Sequence, residues 1–327
     1  MTLTQLRYLV AIADSGLNIT LAAERVHATQ PGLSKQLKQL EDELGFPLFA
    51  RKGRSLESVT PPGVEVIARA RLVLNEANNI RALAANLRRE SVGELFLSTT
   101  HTQARYVLPG AIARLKRAYP DVSVHLTPTG EGEALDELGK GADVALVSSS
   151  GQAPGGGIAV PLFRWQRVVL VQNSHHLARL ARAPTLAELA DEPLVSYESS
   201  LKPESSLRQA FAQAGLTPRI AFTARDADLI KTYVRAGLGV GILAEMAILP
   251  EDGADLATLP GDPHFSNCVA WAILPRERVP RDYTLGLLTT LAPQLDRRDL
   301  RRALEGTFEG PWPAAPDWRA LVASQGE

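Results

Sequence analysis

Cysteine is nearly absent from this chain: Cys268 stands alone among 327 residues. One thiol forms no internal disulfide and supplies no pair of sulfur ligands for a structural zinc. Membrane-length apolar runs are missing too, since none reaches the roughly 18 residues that span a bilayer. A charge excess is also lacking: Lys and Arg number 35 against 36 Asp and Glu, for a formal net charge of −1. Any nucleic-acid surface must therefore be local rather than spread over the protein. No secretory leader is evident, because the chain opens directly on an amphipathic helical pattern. With the lone cysteine, this points to the cytoplasm and to no membrane partner. What remains is ordinary for a soluble globular chain, 45% hydrophobic and 22% charged. The length suggests two or three domains.

Residues 18–44 read as a helix-turn-helix, with the core of the motif at 19–38. This unit lays one short helix in the major groove of DNA. Ile19 to Val26 form the first helix, and Asn18 is placed to cap it. His27 and Ala28 make the turn. Thr29 caps the second helix, and Pro31 sits in its first turn, where a missing N–H costs nothing. Leu33, Leu37, Leu40 and Leu44 recur at helical spacing and face a core. Gln30, Ser34, Lys35 and Lys38 are left on the opposite face, with amide and hydroxyl groups for base edges and ammonium groups for phosphates. Gly45 ends the helix. The plain alternative is a helical hairpin with a solvated polar face. The flanks weigh against it. Leu6, Leu9, Val10 and Ala13 stripe a preceding helix that Gly16 ends. After Gly45, Phe46 to Ala50 run into a basic turn at Arg51, Lys52 and Arg54, placed to meet phosphates. Residues 30–54 hold five basic residues (Lys35, Lys38, Arg51, Lys52, Arg54) against three acidic ones (Glu41, Asp42, Glu43).

Over residues 1–60 the chain resembles the winged helix-turn-helix of the LysR-type transcriptional regulators. The resemblance is carried by Leu6-Arg7-Tyr8, Thr29-Gln30-Pro31, Ser34-Lys35-Gln36, Leu40-Glu41, Leu44-Gly45 and Leu48-Phe49-Ala50-Arg51. It implies a fold in three parts: an N-terminal all-α winged helix-turn-helix, a long linker helix, and an α/β effector domain of two periplasmic-binding-protein-like subdomains. It also implies double-stranded promoter DNA with interrupted palindromes as partner, tetramers, mostly activation, and RNA polymerase as a further candidate partner. The DNA-binding candidates are Thr29, Gln30, Pro31, Ser34, Lys35, Lys38, Arg51 and Arg54.

Thr60-Pro61-Pro62 marks a helix start, and residues 61–91 carry no breaker after Gly63. Val66, Val73, Ile80 and Leu87 recur every seven residues, with Ala70, Ala77 and Ala84 between them. This heptad, large at one seam position and small at the other, predicts a dimerisation helix about 40 Å long. The alternative is a long amphipathic helix folded onto its own chain. A dimer suits a helix-turn-helix, because two recognition helices read two half-sites.

From Gly93 strand-like and helical segments alternate: strands at 94–99, 122–126, 143–147, 168–171, 194–197, 220–222 and 240–243, and helices at 104–119, 133–139, 185–189, 205–214 and 227–236. The alternation predicts parallel sheets flanked by helices. The domain is placed at 93–295, with subdomain I at 93–163 and 266–295 and subdomain II at 164–265. Ligands in open α/β sheets bind at the carboxyl ends of strands, so the cleft between the halves is the candidate pocket. Ser98 to Gln103 put hydroxyls, an amide and an imidazole at a helix N-terminus, where an anion is favoured. Ser148 to Ser150 and Ser199 to Ser205 add two further polar loops after strands.

A narrower resemblance lies in Thr99 to Tyr106, Ala214 to Ile220, Phe222 to Ala224, Asp226 to Asp228 and Ile230 to Arg235. These segments are similar to the CysB-like subfamily, the regulators of sulfur assimilation and cysteine biosynthesis. The resemblance implies no cofactor but a small effector, namely sulfate, N-acetylserine or O-acetylserine, between the subdomains. The matching positions are Thr100, Thr102, Gln103 and Trp165, with Ser148 where the subfamily has threonine. Lys202 falls on a further site threonine and Arg225 on a small polar residue. A lysine there favours an anion more strongly or selects a different one.

An enzyme is the first rival. His27, His101, His125, His175, His176 and His264 make no His-Glu-x-x-His pair, and there is no Gly-x-Ser-x-Gly elbow. The glycines 237, 239 and 241 follow a helix and precede a strand, the reverse of the dinucleotide order. A solute-binding protein is the second rival, countered by the helix-turn-helix. Trp165, Trp271, Trp312 and Trp318 read as packing residues. The tail, 296–327, is arginine-rich with a helix at 296–304, and its sequence suggests no role.

Overall fold

The computed structural model describes residues 1–53, 55–261 and 263–325. The chain divides into two compact units, Met1–Arg88 with Glu277–Val279, and Arg89–Arg276 with Pro280–Glu327.

The first unit is a helical head with a β-hairpin wing. Helices α1 (Leu3–Asp14), α2 (Ile19–Arg25) and α3 (Gln30–Leu44) precede strands β1 (Phe49–Lys52) and β2 (Ser55–Val59), and α4 (Pro61–Leu87) follows. The caps are those expected of the local sequence. Asn18 accepts from the Leu21 N–H, Thr29 from Gly32 and Thr60 from Gly63. Gly45 ends α3 at φ 82°, in the left-handed region that glycine enters without strain. His27 adopts φ 52° in the turn before α3. Leu33, Leu37 and Leu40 are buried against Leu6, Leu9 and Ile12 of α1, while Leu44 is only half-buried. Glu41 fastens the wing: its Oε1 accepts from the Leu48 N–H at 2.8 Å, and its Oε2 accepts from Arg51 Nη2 at 2.8 Å. Helix α4 starts tight against that loop, since a Cβ on Gly63 would lie 2.1 Å from the Leu48 carbonyl oxygen. Farther along α4 the seam is open. Val73 is 44%, Ile80 64% and Leu87 77% exposed.

The second unit holds two five-stranded sheets, here called lobes. The first lobe is built from β3 (Gly93–Thr100), α5 (His101–Tyr106), α6 (Leu108–Ala118), β4 (Val122–Thr129), α7 (Glu131–Lys140), β5 (Val144–Ser149) and β6 (Ile158–Trp165). The second holds β7 (Arg167–Gln172), α8 (Leu186–Ala190), β8 (Pro193–Tyr197), α9 (Ser206–Gln213), β9 (Arg219–Ala224), α10 (Ala227–Arg235), β10 (Val240–Ala244) and β11 (Leu256–Pro260). The chain then returns to the first lobe in β12 (Cys268–Leu274) and α11 (Asp282–Leu291), and ends with α12 (Arg297–Leu304) and α13 (Trp318–Gln325). Strand orders are β4-β3-β5-β12-β6 and β11-β7-β10-β8-β9.

The sheets are mixed, which corrects the expectation of parallel ones. In each, four strands run in one direction and a single strand, β12 in the first lobe and β7 in the second, runs opposite to them. These are the strands next to the two crossings between lobes, where no helix intervenes to restore direction. The helix expected over 104–119 is two helices joined at Val107. Pro109 has no N–H for the Arg105 carbonyl, so the helix restarts with Pro109 in its first turn. The tail packs instead of trailing: Trp312 and Trp318 sit against the first lobe's core, with the Trp318 ring 5.0 Å from Phe163.

Candidate DNA-binding surface and effector cleft

On the head, α3 turns Leu33, Leu37 and Leu40 inward, and this sets the remaining residues outward. Thr29, Gln30, Pro31, Lys35 and Lys38 are exposed and Ser34 is half-buried. Gln30 Nε2 donates to Ser34 Oγ at 3.3 Å, so the two polar side chains are held together at the N-terminal end of the helix. Arg51, half-exposed, is oriented by Glu41 and keeps other N–H groups for an external acceptor. Arg54 lies outside the described residues. Lys52 is 3.9 Å from Glu57, an exposed pair of little energetic weight.

In the second unit, the three polar loops line one cleft of about 690 Å³ between the lobes. The Thr100, Thr102 and Gln103 side chains come from the start of α5, Ser148 from the end of β5, Trp165 from the end of β6, and Lys202 from the loop before α9. Gln103 is fixed at both ends: Thr99 Oγ1 donates to its Oε1 at 3.2 Å, and its Nε2 donates to Ser148 Oγ at 2.9 Å. The Trp165 indole also donates to Ser148 Oγ, at 3.1 Å. Ser148 thus accepts twice, and its own hydroxyl hydrogen is free to donate.

Tyr197 repeats the pattern from the other lobe. Its oxygen accepts from Thr102 Oγ1 at 3.3 Å and from the Ala244 N–H at 3.2 Å. Burial pushes its hydroxyl pKa up, so the proton stays available for donation. Thr102 to Tyr197 also joins the lobes directly. At the rim, Arg225 lies 3.1 Å from Glu198 of its own lobe and 3.6 Å from Glu133 of the other. Lys202 lines the cleft but is exposed and has no ion-pair partner among the described residues. Behind α5, Asp228 accepts from Tyr106 Oη at 2.6 Å and pairs with Arg105 Nε at 2.6 Å, another tie between lobes. Burial and the Asp228 carboxylate push the Tyr106 hydroxyl well above its ordinary range.

Tyr197 and Arg167 also line the cleft, and neither was singled out from the sequence. Arg167 follows Trp165 by two residues, but β6 was not recognised as a strand. Pro161 interrupts its apolar run, and Gly155 to Gly157 precede it. The histidines are less scattered than their spacing suggested. His175, His176 and Glu192 bring ligand atoms within 4.8 Å of one another on the surface of the second lobe.

The profile described as "Bacterial regulatory helix-turn-helix protein, lysR family" matches residues 3–64, and "LysR substrate binding domain" matches residues 88–296. The chain belongs to the LysR family of transcriptional regulators. This LysR-type chain is 39% identical over 304 residues to the HTH-type transcriptional regulator CysB of Haemophilus influenzae, covering 93% of this chain and 94% of that one. It is 34% identical over 310 residues to the regulator cbl of Escherichia coli K12, covering 94% and 98%. The crystal structure of the cofactor-binding domain of the Cbl regulator superposes with a TM-score of 0.61 at 32% identity, covering 68% of this chain and 96% of that one. These relatives place it in the CysB-like branch, among regulators rather than enzymes.

Proposed function

We propose that this LysR-type protein controls sulfur-assimilation and cysteine-biosynthesis genes, chiefly as an activator, in the cytoplasm. Its effector is a small anion of the sulfate or acetylserine class held between the two lobes. One observation carries the reading: residues drawn from separate loops of both lobes converge on a single cleft rich in hydroxyl and amide donors. Donors from both sides mean that a bound ligand favours one lobe arrangement over others. An effector acts only to the extent of that differential affinity.

The protein acts as a dimer or a dimer of dimers through α4. The support is the exposed seam of Val73, Ile80 and Leu87, which a second copy would cover. Gln30 and Ser34 read base edges, and Lys35 and Lys38 hold phosphates.

The test is thermal unfolding with sulfate, thiosulfate, N-acetylserine and O-acetylserine, followed by promoter mobility shifts with whichever ligand binds. A ligand at a hundred times its dissociation constant stabilises the native state by about 2.7 kcal/mol. Stabilisation by one of these four, with altered promoter binding, supports the sulfur assignment. If none acts on the wild type but one acts on Lys202→Thr, the effector belongs to another pathway. Failure to bind any promoter at low salt overturns the DNA reading.

A further inference from the structure

The cleft was expected to hold neutral donors with Lys202 and Arg225 as the added cations, yet the structure places a further, buried positive charge inside it. Arg167 lines the cleft while only 6% exposed. Its Nε donates to Ser206 Oγ at 2.6 Å, but its Nη1 is buried and has no hydrogen-bond partner among the described residues. No described carboxylate lies within ion-pair distance of it. The candidates are already engaged. Glu133 and Glu198 face Arg225. Glu245 accepts from Arg319 Nε at 2.7 Å and from the Gln166 N–H at 2.8 Å. Trp165 flanks the guanidinium, its ring 5.9 Å from the Cζ atom, and the same indole holds Ser148.

A buried guanidinium with an orphan N–H is costly unless an anion meets it. We propose that Arg167 is the seat of the ligand's anionic group. A carboxylate, sulfate or sulfonate oxygen accepts from the guanidinium, and the free hydroxyl hydrogens of Ser148 and Tyr197 donate beside it. The seat lies where the chain passes from β6 to β7, between one lobe and the next. The backbone there is closely packed, since a Cβ on Gly261 would stand 2.2 Å from the Arg167 carbonyl oxygen. The anionic end therefore binds at the crossing and the rest of the ligand extends toward Arg225 and Lys202. This inference rests on the cleft being the effector site, but not on which effector fills it.

The test compares wild type, Arg167→Met and Arg167→Lys by thermal unfolding at low ionic strength. The probes are sulfate and methanesulfonate, with dimethyl sulfone as the uncharged match of the latter. Wild type should be protected by both anions and not by the sulfone. Arg167→Met should bind the anions about tenfold or more weakly, and should unfold at or above the wild-type temperature when no anion is present. Should Arg167→Met not fold, Arg167→Lys answers instead, keeping the charge but losing the planar fork and with it most of the affinity. Equal protection of wild type and the Arg167 variants overturns the proposal, as does absence of anion protection in wild type. If anions act through Arg167 while sulfate, thiosulfate and the acetylserines all leave promoter binding unchanged, the seat stands and the sulfur assignment falls.

Discussion

In the head, Gln30, Ser34, Lys35 and Lys38 come from one face of α3, and the leucines behind them do the folding. In the cleft, Thr102, Ser148, Arg167 and Tyr197 come from strand ends and loops far apart in sequence, and several are themselves buried. The head separates stability from recognition, residue by residue. The cleft combines them, because the candidate ligand-binding groups also hydrogen-bond each other, within the first lobe and from one lobe to the other. Substitution should therefore leave the head folded and impair its binding, and at hydrogen-bonded cleft residues such as Gln103 and Tyr197 impair both properties in the second unit.

The largest effect expected lies in the second lobe. Lys231 Nζ, buried, donates to Asp252 Oδ2 at 3.0 Å, and Arg235 Nη2 reaches Asp252 Oδ1 at 2.8 Å. Asp252→Asn removes the nearer of the two carboxylates beside a buried ammonium, Asp228 standing 3.6 Å away, and should destabilise the second unit by about 3 kcal/mol in chemical denaturation. Burial pushes the Asp252 carboxyl up, but the Leu249 N–H, Arg235 and Lys231 outweigh it and hold it below the ordinary range. A depressed folded-state pKa contributes stability above the unfolded value. That stability is lost as pH falls through the folded value. Acid unfolding of wild type should show this loss, and Asp252→Asn should flatten it.

Close behind is Gln103→Ala, which strands Thr99 Oγ1 and removes a donor from Ser148. About 3 kcal/mol should be lost, together with any ligand-induced rise in melting temperature. A variant that folds as well as wild type and merely binds less tightly would break the comparison from the cleft side. On the head, Gln30→Ala should narrow the gap between cognate and mismatched sites by about 1–3 kcal/mol in competition binding, with stability within about 0.5 kcal/mol of wild type. Smallest is Lys35→Ala. It should weaken binding to all sequences and lower the slope of log affinity against log salt by about 1. A drop in melting temperature for either head variant would break the comparison from the other side.

The same contrast explains what could be read in advance. The head is local: its caps, turn glycine and leucine spacing act within a few residues, so sequence order is spatial order. Its caps and core leucines were placed without structure, but the role of Glu41 in fastening the wing was not anticipated, because its partners Leu48 and Arg51 lie across a loop. The lobes' parallel strands announced themselves through alternation with helices. The strands at the crossings did not: β6, β11 and β12 follow loops rather than helices, and their direction depends on the distant neighbours they pair with. Ser148 was found because it stands in a conspicuous serine run. Arg167 was missed because one arginine opening an apolar strand has no local signature, and its meaning lies in the absence of a carboxylate around it.

The placement of β12 bears on how the molecule is made. That strand sits inside the first lobe's sheet, paired with both β5 and β6, yet it is translated after the whole second lobe. During synthesis the second lobe can complete its sheet while the first still exposes the facing edges of β5 and β6. The first lobe closes only when residues 268–274 have left the ribosome. Such late, long-range pairing is slow and leaves strand edges open to wrong partners. A nascent chain stalled before Cys268 should therefore carry a protease-resistant second lobe and a protease-sensitive first one.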